Sequence, residues 1–233
     1  MITKDAEEHL CNIKQSEIDR YNRYFDRIKP QNHEDGFRRW IFAYASVHTS
    51  WQMNCRLYRA LEDLTWVGDD VKLFNSIVSC RAGMHNNRAR FISEFSRFYW
   101  DHPDWFNKTK HEDWFQYRDR IQNAAPGIGQ AKSAFVAELN YLPESQIICV
   151  DTHMLQLYGY SSSTVGKVTK KKMTAIEQHW MEECQQRKIP PAVGRWWYWD
   201  NKAGQADSRF WSFVFEKDNY NKKLESIAGR KGV

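Results

Sequence analysis

Pro126-Gly127-Ile128-Gly129, followed about twenty residues later by Val150-Asp151-Thr152-His153, is the stretch on which the fold of this 233-residue chain turns. The first motif is a tight turn between two helical segments, about Glu112–Gln122 and Gln130–Leu139. Its glycines permit the turn and let an anion approach the backbone N–H groups at the start of the second helix. Ile128, between them, is apolar and would plug into the core to hold the turn. A hairpin of this kind grips a nucleic-acid backbone without reading sequence. It can equally be a plain connection. The second motif follows the apolar run Ile147-Ile148-Cys149-Val150 and opens a helix through Leu157. Asp151 reads as an N-cap. A carboxylate there can also serve as general base for a water, or stabilise positive charge on a sugar as a glycosidic bond breaks.

Working outward, most of the chain carries helical periodicity. One polar, amphipathic helix is expected from about 4 to 28, ended by Pro30. Asp35 is placed to cap the next, with Phe37, Trp40, Ile41 and Tyr44 on its apolar face. Helices follow at about 50–64, from Gly68-Asp69-Asp70 onward, and at about 86–100. In the last of these, Phe91, Phe95 and Phe98 oppose Arg88, Arg90 and Arg97. Further helices are expected at about 170–186 and 208–227, with Pro190-Pro191 and the loop 200–206 as punctuation. No alternating strand pattern occurs, so the fold is expected to be all-α.

Composition excludes several classes. A hydrophobic fraction of 42% marks a globular chain. The formal charge of +5 is compatible with a basic face but does not announce nucleic acid by itself. Five scattered cysteines without a Cys-x-x-Cys pair argue for reduced thiols in a cytoplasm, and against an iron–sulfur cluster. No His-Glu-x-x-His motif occurs, and no metal site is expected. No apolar stretch is long enough for a membrane span. The 11 Trp read mainly as core filling, with base stacking as the sharper alternative.

Together, Pro126-Gly127-Ile128-Gly129, the helix after it and Val150-Asp151-Thr152-His153-Met154 resemble the signature of the helix-hairpin-helix DNA glycosylases, the superfamily of endonuclease III and adenine glycosylase. Two upstream segments extend the likeness over about residues 36 to 160. Ser46-Val47-His48-Thr49-Ser50 is similar to a Ser-x-Gln-Thr loop, with His48 at the position of a Gln that wedges into the duplex. Gly83–Ile92 is similar to a Gly-hydrophobic-x-x-x-Lys-Ala helix start, with Arg88 replacing the Lys. The resemblance implies a two-lobed helical fold with a central cleft. Residues 1–35 would pack on the C-terminal lobe. Residues 36–140 would form a helical barrel ending in the hairpin at 123–140, and 141–233 would complete the second lobe.

The implied activity is release of a base flipped out of double-stranded DNA, by a monomer without cofactor beyond a monovalent cation at the hairpin. Asp151 is the implied catalytic residue. Gly127, Ile128, Gly129, Gln130, Lys132, His48, Arg88 and His153 are the implied DNA contacts, and Trp51 and Ser46 are candidates for the base pocket. Strand-cutting members place a nucleophilic Lys two residues after the second glycine, where Ala131 stands here. Lys132 is one step on, rotated by about 100°, and is expected to miss that pocket. The enzyme is therefore read as monofunctional. Two rivals remain open: a virus-encoded enzyme of the same fold that joins an amine to an activated 5-hydroxymethyluracil, and a silent DNA-binding module in which Asp151 is only a cap. The aromatic run Arg195–Asp200 and the basic run Lys167, Lys170, Lys171 and Lys172 are left as core packing and solvated charge.

Overall fold

The computed structural model describes residues 4–202. Among them the chain is all-helical, with eleven α-helices and no strand. They are α1 (Lys4–Cys11), α2 (Gln15–Ile28), α3 (His33–Ala45), α4 (Trp51–Leu61), α5 (Asp70–Ser79), α6 (His85–Asp101), α7 (Trp114–Ala124), α8 (Gln130–Asn140), α9 (Thr152–Leu157), α10 (Lys170–Arg187) and α11 (Pro191–Lys202). No described helix is long and apolar enough to cross a membrane.

Side-chain caps set many of these boundaries, each satisfying a backbone N–H that the first turn leaves without a partner. Asp69 accepts from Lys72 N, Thr169 accepts from Lys172 N, and Asp113 with Gln116 forms a capping box at α7. The cap of α3 is Asn32, which accepts from the N–H of Asp35, so Asp35 lies inside the first turn rather than before it. The single N-terminal helix expected from 4 to 28 is two. The Asn12 and Ile13 N–H groups close on His9 and Leu10 carbonyls, and the chain turns with no Pro or Gly to signal it. An unexpected helix, α11, occupies the aromatic run. Pro191 stands at its first position, where a missing N–H costs nothing and the fixed φ suits a helix. The helix expected at 208–227 lies outside the described residues.

Among the aromatic contacts of the interior, two groups join the helices around the site. In one, Trp40 meets Phe95 at 4.6 Å between ring centroids and Phe37 meets Tyr99 at 5.0 Å, joining α3 to α6. In the other, Phe25 of α2 meets Trp196 of α11 edge-on at 5.0 Å. Around this second cluster α1 packs on α10, and α2 on α11. The α1–α11 approach depends on Gly194: a Cβ there would sit 2.8 Å from Leu10 and 2.9 Å from the Trp180 ring. His9 Nε2 lies 3.0 Å from the Gly194 carbonyl and completes the contact.

Candidate active site

The hairpin comprises α7, the turn 125–129 and α8. Ile128 N–H donates to the Ala125 carbonyl at 3.1 Å, and the Ile128 side chain is buried as the apolar pin of the turn. Gly127 has φ +76°, and a Cβ there would sit 2.3 Å from the Phe91 ring of α6. Both backbone handedness and packing therefore require glycine. Gly129 caps α8 and faces open space, with nothing within 4 Å of an added Cβ. The N-terminus of α8 is thus reachable by an anion. The Gln130 side chain turns away from that surface. It is buried and donates to Thr174 Oγ1 at 3.1 Å and Glu177 Oε2 at 3.2 Å, which ties the hairpin to α10.

Beside the hairpin lies a cavity of about 700 Å³. Its wall is drawn from the α3–α4 loop (Ser46, His48), α8 (Ala131, Lys132, Phe135), the start of α9 (Asp151, His153) and α11 (Arg195, Trp196, Trp199). Apolar rings thus face a few polar groups, as in sites that bind planar ligands.

Asp151 divides its two oxygens between two tasks. Oδ1 accepts from the N–H groups of His153 at 2.9 Å and Met154 at 3.0 Å, so the residue is a true cap of α9. Oδ2 lies 3.9 Å from an Arg195 nitrogen, and the side chain keeps 24% exposure in the cavity wall. A cap and a carboxylate available for chemistry are therefore compatible in one residue.

Arg195 itself is held from behind by Glu138, which is fully buried in α8. Glu138 accepts from Arg195 Nε at 2.9 Å and from a terminal nitrogen at 2.8 Å, and also from Trp196 Nε1 and the Cys149 N–H. Burial pushes the Arg195 pKa down, but the negative charge of Glu138 outweighs it and the net shift is upward. Burial pushes the Glu138 carboxyl up, against the Arg195 charge that pulls it down. We take the pair as ionised, because four donors converge on the carboxylate. Asp200, also on α11, accepts from the Tyr21 hydroxyl.

Three expectations change. Lys132 does reach the cavity: it lines the wall with Asp151, its Nζ 5.3 Å from the Phe135 ring centroid. A long, flexible side chain on the first turn of α8 offsets the rotation from position 131. Arg88 is not on a DNA-facing surface. It is buried and donates to the carbonyls of Gly83 at 3.1 Å, Tyr44 at 2.8 Å and Val47. These bonds fasten the end of α3 and the loop that carries His48, an exposed residue in the left-handed region at φ 50°. Gln130, as above, spends its side chain on α10. His48, His153 and Ser46 line the cavity, although the Ser46 hydroxyl is committed to the Ala43 carbonyl at 2.7 Å. The Trp51 side chain lies outside the described residues. Cys149 also lines the cavity. Burial pushes its thiol up to about 12, which makes it a poor nucleophile.

Sequence reasoning missed Glu138 and left Arg195 as packing. The available signal was a lone Glu in the apolar run Phe135-Val136-Ala137-Glu138-Leu139, since an unpaired acid is almost never buried. Among the described residues, no three or more His, Cys, Asp or Glu side chains gather as a metal site would need.

No protein-family model and no curated protein sequence matches the chain. Solved structures do. The 8-oxoguanine DNA glycosylase of Methanocaldococcus jannaschii superposes with TM-score 0.68 at 17% identity, covering 88% of this chain and 95% of that one. An 8-oxoguanine glycosylase/lyase of the same organism, in complex with a 15mer DNA containing 8-oxoguanine, gives 0.69 at 18% identity over 88% and 99%. The 8-oxoguanine DNA glycosylase of Thermotoga maritima gives 0.61 at 18% identity over 89% and 95%. The chain therefore has the helical fold of these DNA glycosylases.

Proposed function

We propose that the protein is a DNA glycosylase that extrudes a base from duplex DNA into the cavity beside the hairpin and cleaves its N-glycosidic bond. The observation that carries this is Asp151: it lines the cavity, one oxygen is fixed by two backbone N–H groups, and the other lies 3.9 Å from Arg195. In the reaction, the C1′–N bond breaks and its electron pair leaves with the base. The carboxylate stabilises the cationic sugar and accepts a proton from the water whose oxygen bonds to C1′. The exposed face of Gly129 and the α8 N-terminus would hold the DNA backbone. The protein would act as a monomer and needs no cofactor for hydrolysis.

The test is incubation with duplexes carrying 8-oxoguanine, uracil, alkylated or mismatched bases, with products read by mass spectrometry. A free base and an abasic site are expected. The 8-oxoguanine duplex comes first because the structural relatives are named for that base. A heavier nucleoside with no free base would instead indicate a base-modifying transferase. DNA binding with no product from any duplex would reduce the protein to a binding module.

A second reading concerns the nucleophile. Lys132 also lines the cavity, so attack of its neutral amine on C1′, with the base leaving on its electron pair and the C1′–O4′ bond then opening to give a Schiff base, competes with attack by water. Borohydride trapping decides between them. A covalent DNA adduct lost in Lys132→Gln supports the amine; base release without an adduct, undiminished in Lys132→Gln, supports water.

A further inference from the structure

We infer that Asn54 reads the hydrogen-bonding edge of the base held in the cavity, an assignment that rests on the glycosylase reading. Asn54 lies on the first turn of α4, directly after the loop that carries His48. It lines the cavity and is only 3% exposed. Its Oδ1 is buried and accepts no hydrogen bond among the described residues. The turn does not need this side chain, because Ser50 is the α4 cap, accepting from Met53 N–H at 3.3 Å.

Three polar groups of the wall are committed elsewhere, while the buried His153 Nδ1, like Asn54 Oδ1, has no partner among the described residues. The Ser46 hydroxyl donates to Ala43, the Thr49 hydroxyl donates to the Ala45 carbonyl at 2.7 Å, and Arg195 is held by Glu138. Leaving a buried carboxamide oxygen unpaired is unfavourable, and an apolar side chain of similar shape would remove that penalty. A fold has no reason of its own to keep an amide there. A ligand that donates an N–H to it supplies one.

The chemistry of the partner follows from the group. A carboxamide presents an acceptor beside a donor, and a nucleobase edge with a ring or exocyclic N–H beside an acceptor is its complement. Phe42, Phe135 and Trp196 give the same cavity the aromatic surface a planar base requires. Rings would hold any base by its faces, and Asn54 would select by its edge. A base methylated at that N–H would be refused, since both the bond and the space for it are lost.

The experiment uses the full chain with Asn54→Leu and Asn54→Asp. Binding of deoxyuridine, 8-oxodeoxyguanosine and their N-methylated counterparts is followed by tryptophan fluorescence, with base release measured in parallel. Expected is a loss of nucleoside affinity of about 10- to 100-fold in Asn54→Leu, with thermal unfolding at or above that of the wild type. Asn54→Asp keeps the shape and an acceptor but loses the donor, so it should also lose affinity if Asn54→Leu does not fold. The N-methylated nucleosides should bind weakly to all forms. The assignment is overturned if both variants bind nucleosides as the wild type does, or if the wild type accepts N-methylated and unmethylated forms equally. Wild-type protein that releases no base from any duplex, yet binds nucleosides through Asn54, would sink the glycosylase reaction and leave the edge-reading role standing.

Discussion

Replacing Asp151 separates the cap that its side chain forms from the catalytic role proposed for it. Asp151→Ala removes the acceptor for the His153 and Met154 N–H groups. Loss of such a cap costs about 1 kcal/mol, or about 2–4 °C in Tm for a chain of this size. Asp151→Asn keeps an oxygen in the Oδ1 position, so the cap survives. What it loses is the charge at the start of α9, worth about 0.3–1 kcal/mol, and the 3.9 Å pairing of Oδ2 with Arg195. Arg195 stays bound to Glu138, so the fold should tolerate the change. The catalytic consequence should be much larger, because a positioned carboxylate contributes about 10²–10⁴-fold. The expected pattern is near-native Tm, unchanged or tighter binding of duplex DNA, and base release lowered by about 100-fold or more. Thermal unfolding, electrophoretic mobility shift and single-turnover base release on the best duplex measure the three quantities. If Asp151→Asn releases base within threefold of wild type, Asp151 is a cap and nothing more, and the catalytic assignment falls.

Three other perturbations follow from the same geometry. Gly127→Ala combines a left-handed φ, worth about 1–2 kcal/mol, with a Cβ 2.3 Å from the Phe91 ring; Tm and duplex affinity should both fall, and an unchanged Tm would contradict the described turn. Arg88→Met leaves three backbone carbonyls without their donor, so it should destabilise by about 3 kcal/mol or more and lower base release through the His48 loop. Because Arg88 is buried against those carbonyls, it should leave the salt dependence of DNA binding unchanged, and a slope reduced by about one would mean that it touches phosphate after all. Burial raises the Glu177 carboxyl to about 7, against the pull of Arg118. The folded state therefore holds that proton more tightly than the unfolded one. The stabilisation is full below about pH 4.5 and is lost as pH rises through 7, up to about 3 kcal/mol in total. Glu177→Gln should flatten that part of the Tm–pH curve between 5 and 8, and an unaltered curve would show that Glu177 titrates normally.

The fold was legible where local chemistry decides local structure. Asp69, Asp113 and Thr169 stand where helices begin, and the Gly-Ile-Gly turn reads correctly because the requirement for positive φ at Gly127 is written in the residue itself. Legibility failed where tertiary packing sets the outcome. The break after Cys11 carries no helix-breaking residue and follows from α1 and α2 packing against different helices. The helix α11 was hidden because Pro-Pro reads as a stop, although its second proline is also a good first residue. Side-chain direction was the least legible property. Arg88 and Gln130 sit in motifs that suggest DNA contact, yet both point inward, while Lys132 reaches a cavity that helical rotation argued against. Asn54 carried no motif at all, and the inference drawn from it rests on a buried oxygen that accepts no hydrogen bond among the described residues.

The Glu138–Arg195 pair alters what counts as the site. Glu138 belongs to the hairpin's second helix, and Arg195 belongs to a helix well beyond the stretch whose sequence motifs resemble those of the glycosylases. Burying two charges is expensive and is tolerated only when each has a full set of partners. Here the carboxylate takes donors from Arg195, Trp196 and the Cys149 N–H. Those partners lie on α11 and on the apolar run that leads into Asp151. One buried carboxylate therefore fixes three things relative to the hairpin: the aromatic wall, the guanidinium facing Oδ2, and the backbone just before Asp151. The pair adds no net charge to the cavity. The Arg195 charge is balanced from behind by Glu138, so less of it opposes a cationic sugar placed beside Asp151. An arginine at 3.9 Å without Glu138 behind it would oppose that cation in full. The buried acid that sequence reasoning passed over is thus what makes Arg195 compatible with a catalytic Asp151.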